Sequence, residues 1–302
     1  MRVTVDGNQT HAATGGVSIH GDGATERPVA LLVHGAGMDG TVWQYQTRYL
    51  AHRGLRAVAV DLPGHGRSGG EPLTSIVDMA DWTARFVTAA GLDDRPGGVH
   101  VVGHSMGTFI GLELAARHPA LVRSLVLLGT ADAMPVHPEL LSSSADALDR
   151  AAALMAAWSH GRGAHVGLHP TPGLWMLGGA RALVENGRPG ALTVDFQACA
   201  DYRGARDAAA AVACQTTVVV GAEDKMTPAK AAARLAEALP AAALTMTTLA
   251  GVGHSMMIED PRAVRELVVD AVRAAEAEPV LDITAPVDAT GGAVASPATD
   301  AG

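Results

Sequence analysis

The run VHVVGHSMGTFIGLELAARHP, Val99 to Pro119, reads as a strand that turns at once into a helix. Between the two lies Gly103-His104-Ser105-Met106-Gly107, a G-x-S-x-G sequence in the strand-to-helix setting that makes it a nucleophile elbow. So tight a turn tolerates only small residues beside the serine. It holds the hydroxyl clear of the sheet and aims the helix N-terminus at the reacting centre. Ser105 is therefore the expected nucleophile.

A neutral serine needs a base, and the base needs an orienting acid. His254, in LAGVGHSMMIEDP, follows the last expected strand and is the base candidate; Asp224, in TTVVVGAEDKMTP, closes another strand and is the acid candidate. Both fall on the edge where open parallel sheets place their sites, and the chain order Ser, Asp, His suits that architecture. Asp132, just past the strand SLVLLGT, is a rival acid, and Glu223 a lesser one.

Further out, the short apolar runs VALLVH, RAVAVDL, VHVVGH, SLVLLGT, TTVVVGA and ALTMTTLAG alternate with helical stretches. Nearly continuous apolar strands suit a parallel sheet buried on both faces, so the expected class is α/β, with about eight strands once RVTVDG and THAATGG form a leading hairpin. The strands ending near Thr130 and beginning near Thr216 lie about 85 residues apart, far more than one crossover helix requires. The expected organisation is a core over 1–130 and 207–278 and a helical cap over 131–206. The cap should hold a helix around SSADALDRAAALMAAW, a Gly/His/Pro-rich stretch SHGRGAHVGLHPTPGLWMLGG, and a second helical region through DFQACADYRG. Residues 279–302, rich in Ala, Gly, Pro and Thr, are expected to be disordered.

Composition narrows the classes. With 48% hydrophobic and 18% charged residues the 302-residue chain is an ordinary globular one, and a net charge of -9 without a dense basic block argues against nucleic acid. There is no secretory apolar segment and no run of membrane-spanning length, so a cytoplasmic protein without membrane association is expected. Cys199 and Cys214 read as small buried hydrophobes. Among the 13 histidines, His34 and His104 should brace the loops they adjoin. His160, His165 and His169 are separated by glycines and have no carboxylate neighbour, so no metal is expected there, nor any cofactor.

The segment GAGMDG, Gly35 to Gly40, spells G-x-G-x-x-G after a strand, with Asp61 where a dinucleotide fold would place its ribose carboxylate. GHGRSG, Gly64 to Gly69, spells the same pattern, so in a chain with 35 glycines it discriminates little.

Taken together, LLVHGAGMDG, AVDLPGHGRSGG, VVGHSMG, VVVGAEDKMTP and GVGHSMMIEDP resemble the alpha/beta-hydrolase superfamily from about residue 25 to residue 275. The resemblance implies a two-amide oxyanion hole formed by the backbone N–H groups of Ala36, after the His-Gly pair, and Met106, after the serine. It also implies a structural turn around Asp61 and no ribose site. Ser105 argues against relatives with an aspartate nucleophile, and carbon–carbon bond hydrolases of this family differ at the positions of Ser255 and Thr108. The expectation is a serine hydrolase of a small to medium carboxylic ester, with a lactone or thioester served by the same machinery. A carbon–carbon hydrolase, a perhydrolase and a non-catalytic binding protein stay open beside it, as do monomer and homodimer. Trp158, Trp175, Met155 and Met176 are candidates for an apolar substrate pocket, with Met256 or Met257 from the histidine loop.

Overall fold

The computed structural model describes residues 1–169, 171 and 173–278; the tail expected to be disordered lies outside them. Eight strands form one sheet: β1 (Arg2–Val5), β2 (Asn8–Ala13), β3 (Val29–Val33), β4 (Arg56–Val60), β5 (Val99–His104), β6 (Val122–Leu128), β7 (Gln215–Gly221) and β8 (Leu244–Leu249). Their spatial order is β1-β2-β4-β3-β5-β6-β7-β8. The β1–β2 hairpin joins antiparallel, and every pair from β4 to β8 is parallel.

Strands β3, β4 and β5 are buried along their whole length because both sheet faces are covered. Side chains alternate between the faces. Leu31, Val58, Val101 and Leu125 meet α2 (Ile76–Ala89) and α3 (Met106–Arg117) in one apolar cluster; Leu32, Ala57, Val102 and Val126 meet α1 (Gln44–Ala51) and α12 (Pro261–Ala277) in the other. Strand β8 ends the sheet, and its sequence LTMTTL leaves polar threonines at accessible positions, as an edge permits. Helix α1 replaces what the sequence reading left unassigned, and among the described residues no helix is long and apolar enough to cross a membrane.

Between β6 and β7 the chain builds α4 (Pro138–Asp146), α5 (Leu148–Ser159), α6 (Arg162–His165), α7 (Met176–Glu185), α8 (Ala191–Asp201) and α9 (Ala205–Ala211); α10 (Ala229–Ala236) and α11 (Met256–Glu259) follow β7 and β8. The single helix expected over 143–158 is two, broken at Ala147, whose φ of -147° and ψ of 62° leave the helical region. The break lets α4 bury Leu140 and Ser143 on the side of α8 while α5 buries Ala151, Ala152 and Met155 and packs along α7. Helix α7 begins inside the stretch expected to be irregular. Gly178 and Gly179 disguised it, and the first is needed because a Cβ there would meet the Trp175 ring at 2.1 Å. The expected boundary between residues 206 and 207 falls within α9, which contacts α3 and α10.

Candidate active site

Ser105 caps α3 at φ 53° and ψ -120°, one of two non-glycine residues at positive φ among those described. Its amide donates to the Leu128 carbonyl at 3.0 Å, and its carbonyl accepts from the Thr108 amide at 2.8 Å and hydroxyl at 2.7 Å. The flanking glycines leave the turn no slack: a Cβ on Gly103 would lie 2.3 Å from the Gly107 carbonyl oxygen, and one on Gly107 2.4 Å from that of Val33. This is why the elbow reads as G-x-S-x-G. The serine itself stays partly exposed.

Across the edge of the sheet, Gly129 at the end of β6 brings the histidine close. A Cβ on Gly129 would sit 2.9 Å from two atoms of the His254 ring. His254 Nδ1 lies 2.8 Å from Asp224 Oδ2, and since a carboxylate only accepts, Nδ1 carries the proton and Nε2 keeps its lone pair in the neutral ring. Asp224 also accepts from the Met226 amide, the Thr227 amide and the Thr227 hydroxyl, each at 2.8 Å. Burial alone would raise this carboxyl. The His254 charge and hydrogen bond, with the Thr227 donors, outweigh burial and hold it below the usual carboxylate range. Among the described residues no hydrogen bond joins the Ser105 hydroxyl to His254; such contacts commonly tighten only as substrate binds.

Thr227 had no signal in the sequence beyond its place after Asp224. Of the rival acids, Asp132 is engaged by Arg234 at 2.6 and 2.8 Å, and Glu223 accepts from the Arg162 amide at 2.6 Å. His104 donates through Nε2 to the His254 carbonyl at 3.0 Å; burial, then the neighbouring His254, push its pKa down to about 3, so it stays neutral and braces the histidine loop. His160 and His169 are spent on the carbonyls of Ala156 and Ile258. Cys199 is buried and Cys214 only partly so, both as free thiols.

The glycine loop after β3 approaches the elbow closely, a Cβ on Gly35 falling 3.1 Å from Ser105 Cβ. Ala36 N–H shares a planar peptide with the Gly35 carbonyl, so fixing the carbonyl fixes the amide in the opposite direction. That carbonyl accepts from His34 Nδ1 at 2.9 Å and from the Met38 amide at 3.2 Å. Neither the Ala36 amide nor that of Met106, first residue of α3, is a donor in any described hydrogen bond outside regular elements. Asp61 ends in the fold and not at a ribose: it accepts from the amides of Gly40 at 2.7 Å and Arg67 at 2.9 Å and from His11 Nδ1 at 3.0 Å, tying the two glycine loops together.

A pocket of about 790 Å³, its open mouth included, lies between α5, α7 and the loops that carry Met38 and Ser255. Trp175, Met176, Met155 and Met257 line it. Trp158 does not: its ring meets His137 edge-on at 5.2 Å and packs on the core, because α5 turns that face away from the pocket. Met256 is likewise fully buried in the core. Trp175, 70% exposed, forms the rim.

The profile of the alpha/beta hydrolase family matches residues 30–267. The chain belongs to that family and is one of its hydrolytic enzymes. It is 31% identical to a pimeloyl-[acyl-carrier protein] methyl ester esterase of Aromatoleum aromaticum over 264 residues, 82% of this chain and 99% of that one. With a putative carbamate hydrolase RutD of a Caulobacter species it shares 29% identity over 263 residues, 83% of this chain and 93% of the other. Among solved structures the enol-lactonase from Burkholderia xenovorans LB400 superposes with a TM-score of 0.77 at 20% identity, covering 90% of this chain and 100% of that one, a likeness of fold.

Proposed function

We propose that the protein hydrolyses a small to medium carboxylic ester through an acyl-enzyme on Ser105. The observation that carries this reading is a partly exposed Ser105 held in a strained turn by the Leu128 carbonyl, with the Asp224–His254 pair packed on the adjoining Gly129. Ser105 Oγ attacks the carbonyl carbon while His254 Nε2 takes its proton, and Asp224 stabilises the imidazolium. The Ala36 and Met106 amides receive the negative charge that forms on the carbonyl oxygen. Collapse of the tetrahedral adduct breaks the bond to the leaving alcohol, to which His254 returns the proton. Water then attacks the acyl-enzyme by the same route and restores Ser105.

The pocket lined by Trp175, Met155, Met176 and Met257 supports an apolar acyl or alcohol group, thioether side chains being well suited to irregular shapes. Residues 131–206 act as the cap that closes this pocket over the sheet edge and sets the choice of substrate. The relatives named for a methyl ester and for a carbamate support chemistry at an acyl carbon bonded to a heteroatom. The decisive experiment is labelling by a fluorophosphonate. The wild-type protein should be labelled and Ser105→Ala should not; labelling that persists in Ser105→Ala, or none in the wild type, overturns the reading.

A further inference from the structure

One cluster that this chemistry leaves unused lies where the helical insert meets the oxyanion loop. Asp195, on α8, is fully buried, and His65, in the turn GHGRSG after β4, is nearly so. Asp195 Oδ2 accepts from the Gly37 amide at 2.8 Å and from His65 Nε2 at 2.9 Å. His65 Nδ1 donates to the Pro63 carbonyl at 2.9 Å. Both ring nitrogens therefore face groups that only accept, so both carry protons and the ring is an imidazolium. A buried, charged pair joins the insert to the core. The other carboxylate oxygen, Oδ1, is buried without a partner.

Packing alone gives no reason for this arrangement. Removing a carboxylate from water while leaving one of its oxygens unpaired is unfavourable, and apolar residues of similar size commonly replace such pairs without loss of stability. What the carboxylate does reach is the peptide joining Ala36 to Gly37. The peptide on the other side of Ala36 is fixed by His34 and the Met38 amide at the Gly35 carbonyl. The two planes flanking the Ala36 Cα are thus clamped from opposite sides, one by the core and one by the insert. Gly37 sits at φ +65°, and a Cβ there would meet Leu192 of the same helix at 2.5 Å, so α8 closes directly on this peptide.

We propose that Asp195 is a positioning residue for hydrolysis: from the insert it grips the Gly37 amide and so holds the oxyanion loop at the setting in which the Ala36 N–H faces the reacting oxygen. The insert is then part of the catalytic apparatus as well as a wall of the pocket. The inference rests on the reading of Ser105 and Ala36 given above. It concerns the transition state more than the bound substrate, because Asp195, His65 and Gly37 are not among the residues that line the apolar pocket.

The test compares three variants on an activated ester, with kcat and KM measured separately and melting temperature alongside. In Asp195→Asn the amide oxygen can take the place of Oδ2 and still accept from the Gly37 amide and from His65 Nε2, so kcat should stay within a few-fold of wild type. Asp195→Ala removes the grip and should lower kcat by about 10- to 100-fold with KM little changed, since misplacing a catalytic group by about 1 Å can cost 10²-fold. Because Asp195→Ala leaves a cavity and a buried His65 Nε2 without its partner and could fail to fold, the double variant His65→Leu/Asp195→Leu provides the cleaner case: the buried polar pair and the acceptor are removed together, and the same fall in kcat is expected. A folded double variant with wild-type kcat, or a loss confined to KM, overturns the proposal. Ser105→Ala, run in parallel, separates the two levels. If it remains active, the reading of the site fails and this inference with it; if it is dead while the double variant is fully active, only the role of Asp195 is refuted.

Discussion

Replacing Ser105 by glycine should destroy hydrolysis and stabilise the protein. At φ 53° and ψ -120° the residue occupies a region that a side chain with a Cβ disfavours, and such conformations cost roughly 1–3 kcal/mol. The Leu128 carbonyl and the Thr108 amide and hydroxyl hold the backbone there, and Gly103 and Gly107 close off the space into which it could relax. Glycine removes the strain at no steric cost but enlarges the freedom of the unfolded chain by about 0.5–1 kcal/mol. The balance is about 1 kcal/mol in favour of Ser105→Gly, or roughly 2–4 °C in melting temperature for a chain of this size. Ser105→Ala is the control, because it removes the hydroxyl and keeps the Cβ, hence the strain. Calorimetry or fluorescence melts of the three proteins decide the matter. Should Ser105→Gly melt at or below Ser105→Ala, the elbow stores no strain of this size and the argument from its dihedral angles is refuted.

Three further outcomes are expected. Asp224→Asn should lower kcat by about 10³–10⁴-fold, since an amide no longer enforces the Nδ1-protonated ring, whereas Asp132→Asn should leave kcat unchanged and disturb only a surface pair with Arg234. For His65, burial alone would lower the pKa, but Asp195, the Pro63 carbonyl and more distant Asp61 outweigh it and raise the value, with neutral His34 packed 5.0 Å away. A raised folded value means that its stabilisation is complete below the ordinary imidazole value of about 6.5 and is lost as pH rises through the folded one. The melting temperature of the wild type should therefore fall, relative to that of His65→Leu/Asp195→Leu, from neutral pH upward; parallel curves would contradict an ionised pair. Trp175→Ala should raise KM for esters with a bulky apolar group, while Trp158→Ala should leave KM alone and lower stability by about 1–3 kcal/mol, as read from steady-state kinetics and melts.

The central strands were legible because a sheet covered on both faces demands uninterrupted apolar runs rich in β-branched residues, such as VALLV and RAVAV. The elbow was legible because its turn excludes all but the smallest flanking residues. Inside the insert these constraints weaken. A helix lying on one neighbour needs only a narrow apolar stripe, so alanine-rich sequence through Ala147 gives no sign that α4 ends and α5 begins. Gly178 and Gly179 likewise hid α7, since the reason for glycine there is the Trp175 ring packed against it and not a turn.

Asp195 marks where reading by local pattern stops. In ALTVDFQACAD it has the look of a solvent-facing residue on an amphipathic helix, and His65 in PGHGRSG has the look of a turn residue. Their meaning arises only when residues 130 positions apart meet. The same holds for the glycine loop after β3. Its glycines are visible in sequence, but the orientation of one amide depends on His34 behind it and on a carboxylate brought over from the insert. Ser105, His254 and Asp224 lie on the sheet edge and come from short motifs that the core positions. The Ala36 amide depends on how α8 seats against Gly37, so substitutions in the insert that leave the pocket untouched should still alter turnover if they shift that helix. Shortening Leu192, whose Cδ1 lies against Gly37, is the simplest such change: kcat should fall while the affinity for a non-hydrolysable substrate analogue holds.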